Sequence, residues 1–384
     1  MMGRRLTRAL LAVAAASLLG GCAVWNSIPY IGGSSDKPKP AELEANPNLL
    51  AIRQAWTTSI GKVDFPLSVA VTGTTATLAA SDGTVMALDA ATGREQWRVS
   101  AGAPLAAGVG TDGATTAVVT RNNDLVVFAN GKEAWRQKLT VLSYTAPFVA
   151  GARVFVLGAD RSVAGFDGAT GRRLWTQSRA GEPLVLRQSG VMLAVADTLV
   201  VGQGGRLAGL NPLNGSVRWE APVAIARGIN DVERLVDLVG RVSRVGDSVC
   251  VRAFQAAVGC VDAARGQVAW TQKANGSEGV GGDGASVFGT EADGKVIAWK
   301  RESGQRAWTN EKMLHRGLGT PLALGRSVVV GDAFGFVHML SREDGTLLNR
   351  LATDGSAIAA APVVAGNTLV VVTKNGGVYG FVPQ

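Results

Sequence analysis

Short apolar runs of four to six residues alternate with polar breaks along almost the whole chain, and the breaks are rich in Gly, Asp and Asn. The stretch "TPLALGRSVVVGDAFGFVHMLSREDGTLLN", from Thr320 to Asn349, shows the pattern: Pro321 to Leu324, a turn at Gly325, Ser327 to Val330, another turn, then Phe336 to Leu340. Runs this short, rich in β-branched residues and punctuated at such intervals, predict antiparallel strands joined by tight turns. "APFVAGARVFVLGADRSVAGFDGATGRRLW" (Ala146 to Trp175) and "APVVAGNTLVVVTKNGGVYGFV" (Ala361 to Val382) follow the same template. Each unit supplies four strands, and helical patterns are scarce.

The template recurs at a nearly fixed interval. Trp56, Trp97, Trp135, Trp175, Trp219, Trp270 and Trp308 form a lattice with spacings of 41, 38, 40, 44, 51 and 38, and Asn349 fills an eighth slot 41 residues further on. A turn precedes most of these positions, as in "DAATGREQW" (Asp89 to Trp97) and "DGATGRRLW" (Asp167 to Trp175). The Asp side chain is suited to hydrogen-bond the turn backbone, and Gly accepts a positive φ. A Trp four residues later is expected to enter the gap between neighbouring sheets and lock them. A four-stranded unit of about 40 residues that cannot bury both faces alone is a β-propeller blade. The prediction is an all-β, eight-bladed propeller of four-stranded antiparallel blades over residues 51–384. Its last blade should be closed by an N-terminal strand around Ala55 to Ile60, which would leave no open end to the ring.

The first residues read differently. Arg4, Arg5 and Arg8 precede an apolar run from Ala9 to Leu19, followed by "LGGC" ending at Cys22. That run is shorter than the roughly 20 residues a membrane-spanning helix needs. Residues 1–21 are expected to be a lipoprotein signal peptide, with Cys22 as the acylated lipid anchor. Several acyl chains hold a protein on a membrane where one does not. Ala23 lacks the character of an inner-membrane retention signal, so the expected location is the outer membrane, facing the periplasm. Residues 22–50, which include "GGSSDKPKPAELEANPN", have the composition of an extended tether. The net charge of +8 falls to +5 without the three leader arginines. No compact basic stripe with interleaved aromatics appears, so nucleic acid is not an expected partner.

Signals for catalysis are weak. "GVGTDG" (Gly108 to Gly113) and "GVGGDG" (Gly279 to Gly284) match a dinucleotide pattern, but strand-like sequence follows each where a helix is required. They read as inter-strand turns. His315 and His338 have neither zincin nor cluster spacing and read as structural histidines. No nucleophile elbow or P-loop is present. No catalytic residue, cofactor or metal is expected. Cys250 and Cys260 flank one hairpin, and an exported chain would favour a disulfide between them. A pair of buried thiols packing as small hydrophobes is the alternative that the spacing leaves open. The longest interval, between Trp219 and Trp270, holds "INDVERLVDLVGRV", where Val232, Leu235, Val236 and Val239 follow helical spacing. It is expected to be a helical or irregular insertion with one apolar face.

The Asp-x-x-Thr-Gly-x-x-x-Trp repeat is similar to the docking motif of quinoprotein propellers. Combined with the Cys22 site, the length, "LHRGLGTPL" (Leu314 to Leu322) and "VVGDAFGFVHMLSREDG" (Val329 to Gly345), it resembles the BamB family of outer-membrane protein assembly lipoproteins. The resemblance implies a non-catalytic scaffold that binds the periplasmic domains of a BamA-like barrel protein within its assembly complex. Unfolded outer-membrane protein clients would be a further class of partner. It also implies partner contacts at a Leu-x-Leu-Arg segment, here Leu184, Leu186 and Arg187, and at an acidic spot shortly after it, here "ERLVD" with Glu233, Arg234, Leu235 and Asp237. A second acidic position of that family falls on Val239. Read by pattern alone, "PLVLRQSGVML" serves equally as a core strand, with Leu184 and Leu186 at period two. The alternatives to the scaffold reading are a quinone-dependent dehydrogenase and a lipoprotein scaffold with another partner.

Overall fold

The turns decide where each sheet ends. In the first of them Asp89 Oδ1 accepts the Thr92 amide and hydroxyl, both at 2.9 Å, and Gly93 follows with φ +72°. Asp167 and Thr170 repeat the arrangement. The computed structural model describes residues 38–179, 185–226, 229 and 234–384, and residues 41–384 form one compact unit. The signal segment and Cys22 lie outside the described residues.

The unit consists of eight four-stranded antiparallel sheets. Seven are built from consecutive strands, beginning with Ala70–Thr72, Thr75–Ala79, Thr84–Asp89 and Glu95–Ser100. The eighth combines Val363–Ala365, Thr368–Val372 and Gly377–Pro383 with Ile52–Ser59 from the start of the unit, in register Arg53↔Val382 to Ser59↔Gly377. The expected closure by an N-terminal strand is therefore the observed one. First strands of the blades line a central channel of about 1100 Å³. Second and third strands are buried on both faces, as in Thr75–Ala79 and Thr84–Asp89, because each sheet is stacked between two others. That is why they read as continuous apolar runs, whereas the outermost strand Glu95–Ser100 is mostly exposed.

The connectivity gives the ring two unlike faces. Turns between first and second strands and between third and fourth strands lie on one, which we call the docking face. Turns between second and third strands, together with the links from blade to blade, lie on the other, the connection face. The sequence "GVGTDG" ends in a docking-face turn, where Asp112 Oδ1 accepts the amides of Ala114 and Thr115. Asp283 does the same for "GVGGDG" with Ala285 and Ser286.

Each lattice tryptophan lies between its own blade and the next. Trp175 is opposite Gly165 in its own sheet and rests on Gly215 of the following blade's turn. A Cβ at Gly165 or Gly215 would come within 2.6 or 2.5 Å of the indole, so only glycine admits the ring. The Trp175 Nε1 donates to the Pro212 carbonyl at 3.0 Å. Trp56, Trp135, Trp270 and Trp308 donate in the same way to Ala90, Gly168, Arg301 and Arg342. Trp97 and Trp219 occupy equivalent positions, against Gly131 and Gly266. A β-bulge follows each slot in the pairing of third and fourth strands, as between Ala87 and Leu88, and it re-aims the ring toward the neighbour.

Two expectations need correction. The stretch from Leu238 is not helical: Leu238–Val245 is the first strand of blade five, and Val239 is buried. Of the apolar stripe only Val239 falls in that strand; Leu235 and Val236 precede it in irregular backbone, the second of the two forms expected for the insertion. Gly240, at φ +67°, packs against Gly279 in a backbone approach that a helix would not make. Val232 lies outside the described residues. The tether composition of residues 22–50 also gives way to something else from Ala41 onward, because residues 41–50 are laid against blades six and seven. The Ala41 amide donates to Leu314 O at 2.9 Å and the Leu49 amide to Leu348 O at 2.8 Å.

Candidate protein-docking site

Two links on the connection face carry the residues singled out by the sequence. The first runs from blade three to blade four, beyond Arg173–Gln177 and up to Met192–Val195; the second runs from Val217–Pro222 to Leu238–Val245. Leu186 and Arg187 are on the first link, Arg234 and Asp237 on the second. Leu184 and Glu233 lie outside the described residues.

The structure joins the two links through Asp237. Its Oδ1 accepts from Arg161 Nε at 3.1 Å and Nη2 at 3.0 Å, while Oδ2 accepts the Leu186 amide at 3.4 Å. Side-chain exposures of 11% for Arg161 and 14% for Asp237 make this a shielded pair, where charge-assisted hydrogen bonds are stronger than at an open surface. Further ties hold the loops from below. Gly240 N donates to Ser189 O, and Gly190 N donates to Thr145 Oγ1. Gln203 Nε2 donates to Arg161 O and Gln177 Oε1. Asp237 is thus a positioning group that fixes the backbone at Leu186, rather than a carboxylate turned wholly outward. Val239, directly beyond it, bridges to Gly190 and is buried, so an acidic side chain there would lose its hydration.

What remains at the surface is Leu186, half-buried, and Arg187, exposed, with its guanidinium 5.7 Å from the Tyr144 ring centroid. Arg187 also lines the mouth of the central channel. Arg234 is exposed. On the same second link Ile225 and Ile229 are 68% and 99% exposed, and Leu142 on the link before blade three is 51% exposed. Apolar side chains, a stacked Arg and a rigid backbone are the ingredients of an interface hot spot. Sequence reasoning missed Arg161. Its partner is 76 residues away, and nothing in the local pattern "ADRSVAG" announces the pairing.

The channel is the other concave feature. Arg241 crosses it from blade five, its Nη1 donating to Pro362 O of blade eight at 2.9 Å. Burial pushes the Glu278 carboxyl above its ordinary range, against the pull of Arg252 and Lys374. Among the described residues, no three His, Cys, Asp or Glu side chains converge as metal ligands would. Elsewhere, Cys250 and Cys260 are directly paired across one hairpin and joined as a disulfide, facing the seam that holds Trp270 and Trp299. His338 is buried against Asp332, and His315 is exposed.

Comparison with known proteins agrees with this architecture. The family model described as outer membrane protein assembly factor BamB matches residues 81–310. A Burkholderia pseudomallei protein named outer membrane protein assembly factor BamB is 40% identical over 349 residues, covering 90% of this chain and 92% of its own. A Bordetella pertussis protein of the same name is 35% identical over 362 residues, covering 93% and 92%. Among solved structures, BamB from Moraxella catarrhalis superposes with a TM-score of 0.79 at 24% identity, covering 86% of this chain and 99% of that one, which is a likeness of fold. On sequence and length together, the chain belongs to the BamB family of outer membrane protein assembly factors.

Proposed function

We propose that this chain is a non-catalytic scaffold of the outer-membrane β-barrel assembly machinery, docking through its connection face onto the periplasmic domains of a BamA-like barrel protein. Acyl chains on Cys22 would hold it at the outer membrane, facing the periplasm. The observation that carries the docking surface is the presentation of Leu186 and Arg187 on a link whose backbone is pinned by Asp237 and Arg161. A pinned loop loses little conformational freedom on binding, so more of the contact energy appears as affinity. Leu186 supplies apolar burial, and the Arg187 guanidinium is free to meet a carboxylate bidentately. Leu184 belongs to the same proposed contact on family resemblance. Arg234 lies on the adjoining link and would extend the cationic rim.

Affinity capture from solubilised envelopes tests the reading. Arg187→Glu should reduce recovery of a BamA-like barrel protein at least tenfold without changing the folded signal. Asp237→Asn should weaken capture less, by loosening the loop. Full recovery with Arg187→Glu would remove this link from the contact.

A further inference from the structure

Residues 41–50 form a strap across the outer flank of blade seven, entering near the connection face at Leu314 and leaving near the docking face at Leu348. Two carbonyls within residues 41–47 are held by guanidinium groups: Arg316 Nη1 donates to Ala41 O at 3.1 Å and Arg350 Nη2 to Glu44 O at 2.9 Å; further along, Arg326 Nη2 donates to Leu49 O at 3.0 Å. Lys312 and Glu44 add an exposed ion pair, a weak tie in water. Residues 41–47 are therefore held by where Arg316 and Arg350 point, with Asn46 Nδ2 adding bonds to Asn349 Oδ1 and Arg350 O.

Both arginines belong to one cluster. Asp332 Oδ2 accepts from Arg316 Nε and Nη2, each at 2.8 Å, and lies 3.0 Å from His338 Nε2. Asp332 Oδ1 accepts the amides of Phe334 and Phe336. Arg350 is the cross-strand partner of His338. The cluster thus holds two permanent cations and one carboxylate around an imidazole that is 1% exposed. Against an ionised Asp332, Nε2 must carry the hydrogen. Nδ1 is then a bare acceptor, and among the described residues no group donates to it. His338 forms part of the wall of a cavity of about 440 Å³ beneath the strap, together with Leu43, Glu44, Pro47 and Arg350.

We propose that His338 is a proton-operated latch: adding a proton at Nδ1 releases residues 41–47 from Arg316 and Arg350 while the eight blades stay closed. A third positive charge beside a single carboxylate repels both guanidinium groups, and those are the groups that hold the strap carbonyls. The inference stands apart from the docking role proposed above.

The direction of the pH effect follows from the surroundings. Burial pushes the His338 pKa below its ordinary value near 6.5, and Arg350 and Arg316 push the same way, while Asp332 opposes them. The docked state then binds fewer protons than the released one. Docking is at full strength above the ordinary histidine value and weakens as pH falls from there toward the depressed value. Asp332 stays ionised through that window, because hydrogen bonds from His338 and two amides outweigh its burial. The other titratable groups around the cavity are Glu44, Glu311, Lys312 and Asp344. Hydrogen bonds from Thr346 and Ser341 hold the Asp344 carboxyl below its ordinary range, and Glu44 holds the Lys312 ammonium above its own, so both move away from the window. Released and extended, residues 41–47 would add roughly 25 Å of reach to the chain before Ile52–Ser59, at about 3.5 Å per residue.

The test uses the full chain and exploits its two histidines, whose ring signals give one titration for His338 and one for His315. Exchange of the Ala41 amide, corrected for its intrinsic pH dependence, should lose at least tenfold protection between pH 7.5 and 5, with a midpoint tracking His338. Amides of Ser327–Gly331 in the same blade should keep theirs. His338→Gln, which can still donate to Asp332 but cannot take the charge, should keep the strap protected throughout. Strap protection that stays flat through the His338 titration would overturn the latch, as would failure of His338 to titrate above pH 4. Equal acid loss in a folded His338→Gln would do the same. Should that variant not fold, the two midpoints of the unaltered chain decide the matter.

Discussion

Seven seams of the ring are closed by a tryptophan and one by Asn349, and the contrast shows what the docking motif needs. At a tryptophan seam the next blade offers a continuous turn with a carbonyl for the indole N–H and a glycine under the ring, as Pro212 and Gly215 do for Trp175. Blade eight has no such turn, because its third and fourth strands are the two ends of the unit, joined only by hydrogen bonds such as Gln384 N to Ala51 O. Asn349 takes the slot instead. Its Nδ2 donates to Leu50 O at 2.8 Å, so the amide reproduces the indole's hydrogen bond without its bulk. Asn46 Nδ2 completes the contact by donating to Asn349 Oδ1. The residue beneath the slot changes as well: Ala87, Gly165, Gly209, Cys260 and Ala298 face tryptophans, whereas Met339 faces Asn349.

This comparison can be broken at either kind of seam. The largest effect is expected for Trp270→Ala, because the ring is 8% exposed and its loss leaves a cavity between blades five and six. Stability should fall by about 3–5 kcal/mol in equilibrium denaturation. A loss below about 1 kcal/mol would mean that the indoles decorate the seams without closing them. Asn349→Trp sharpens the other side. With Met339 opposite and no glycine turn to receive the ring, it should cost about 2–3 kcal/mol through overpacking and lost hydrogen bonds. An unchanged or raised midpoint would show that blade eight accepts the standard dock after all. The smallest effect is expected at the turns. The Thr92 hydroxyl, then its amide, holds the Asp89 carboxyl below the usual carboxylate range. Thr92→Val should move that pKa up toward about 3.9 in an NMR titration. Asp89 adds to turn stability above its unfolded pKa, and the contribution is lost as pH falls through the depressed value. Asp89 is half-buried in a surface turn, so the change should be visible in the titration and scarcely in the midpoint.

The fold was legible because each blade spends its most distinctive residues at fixed places. A glycine at positive φ and an indole four residues later survive as a spaced signal even where the intervening strands drift. The docking site was legible only in part. Leu186 and Arg187 stood out as a motif, but Asp237, expected as a partner contact, is turned inward to Arg161 of another blade, and no spacing rule links those two positions. Val239 sat on a helical stripe, yet it lies in a strand. The strap escaped notice for a third reason: it is held through its backbone carbonyls, which composition does not report. Its Pro, Glu and Asn content reads as tether whether or not an arginine grips it.

Blade eight also imposes an order of events. Ile52–Ser59 is made long before its partner Gly377–Pro383, with seven blades of chain between them. Joining ends so distant costs about 5 kcal/mol of loop entropy, a sum that grows only slowly with length. The heavier burden is time: a finished strand with a naked edge must stay soluble and unpaired while seven sheets assemble. For a chain built this way, a helper that shields that first strand would speed maturation more than any added contact in the completed ring.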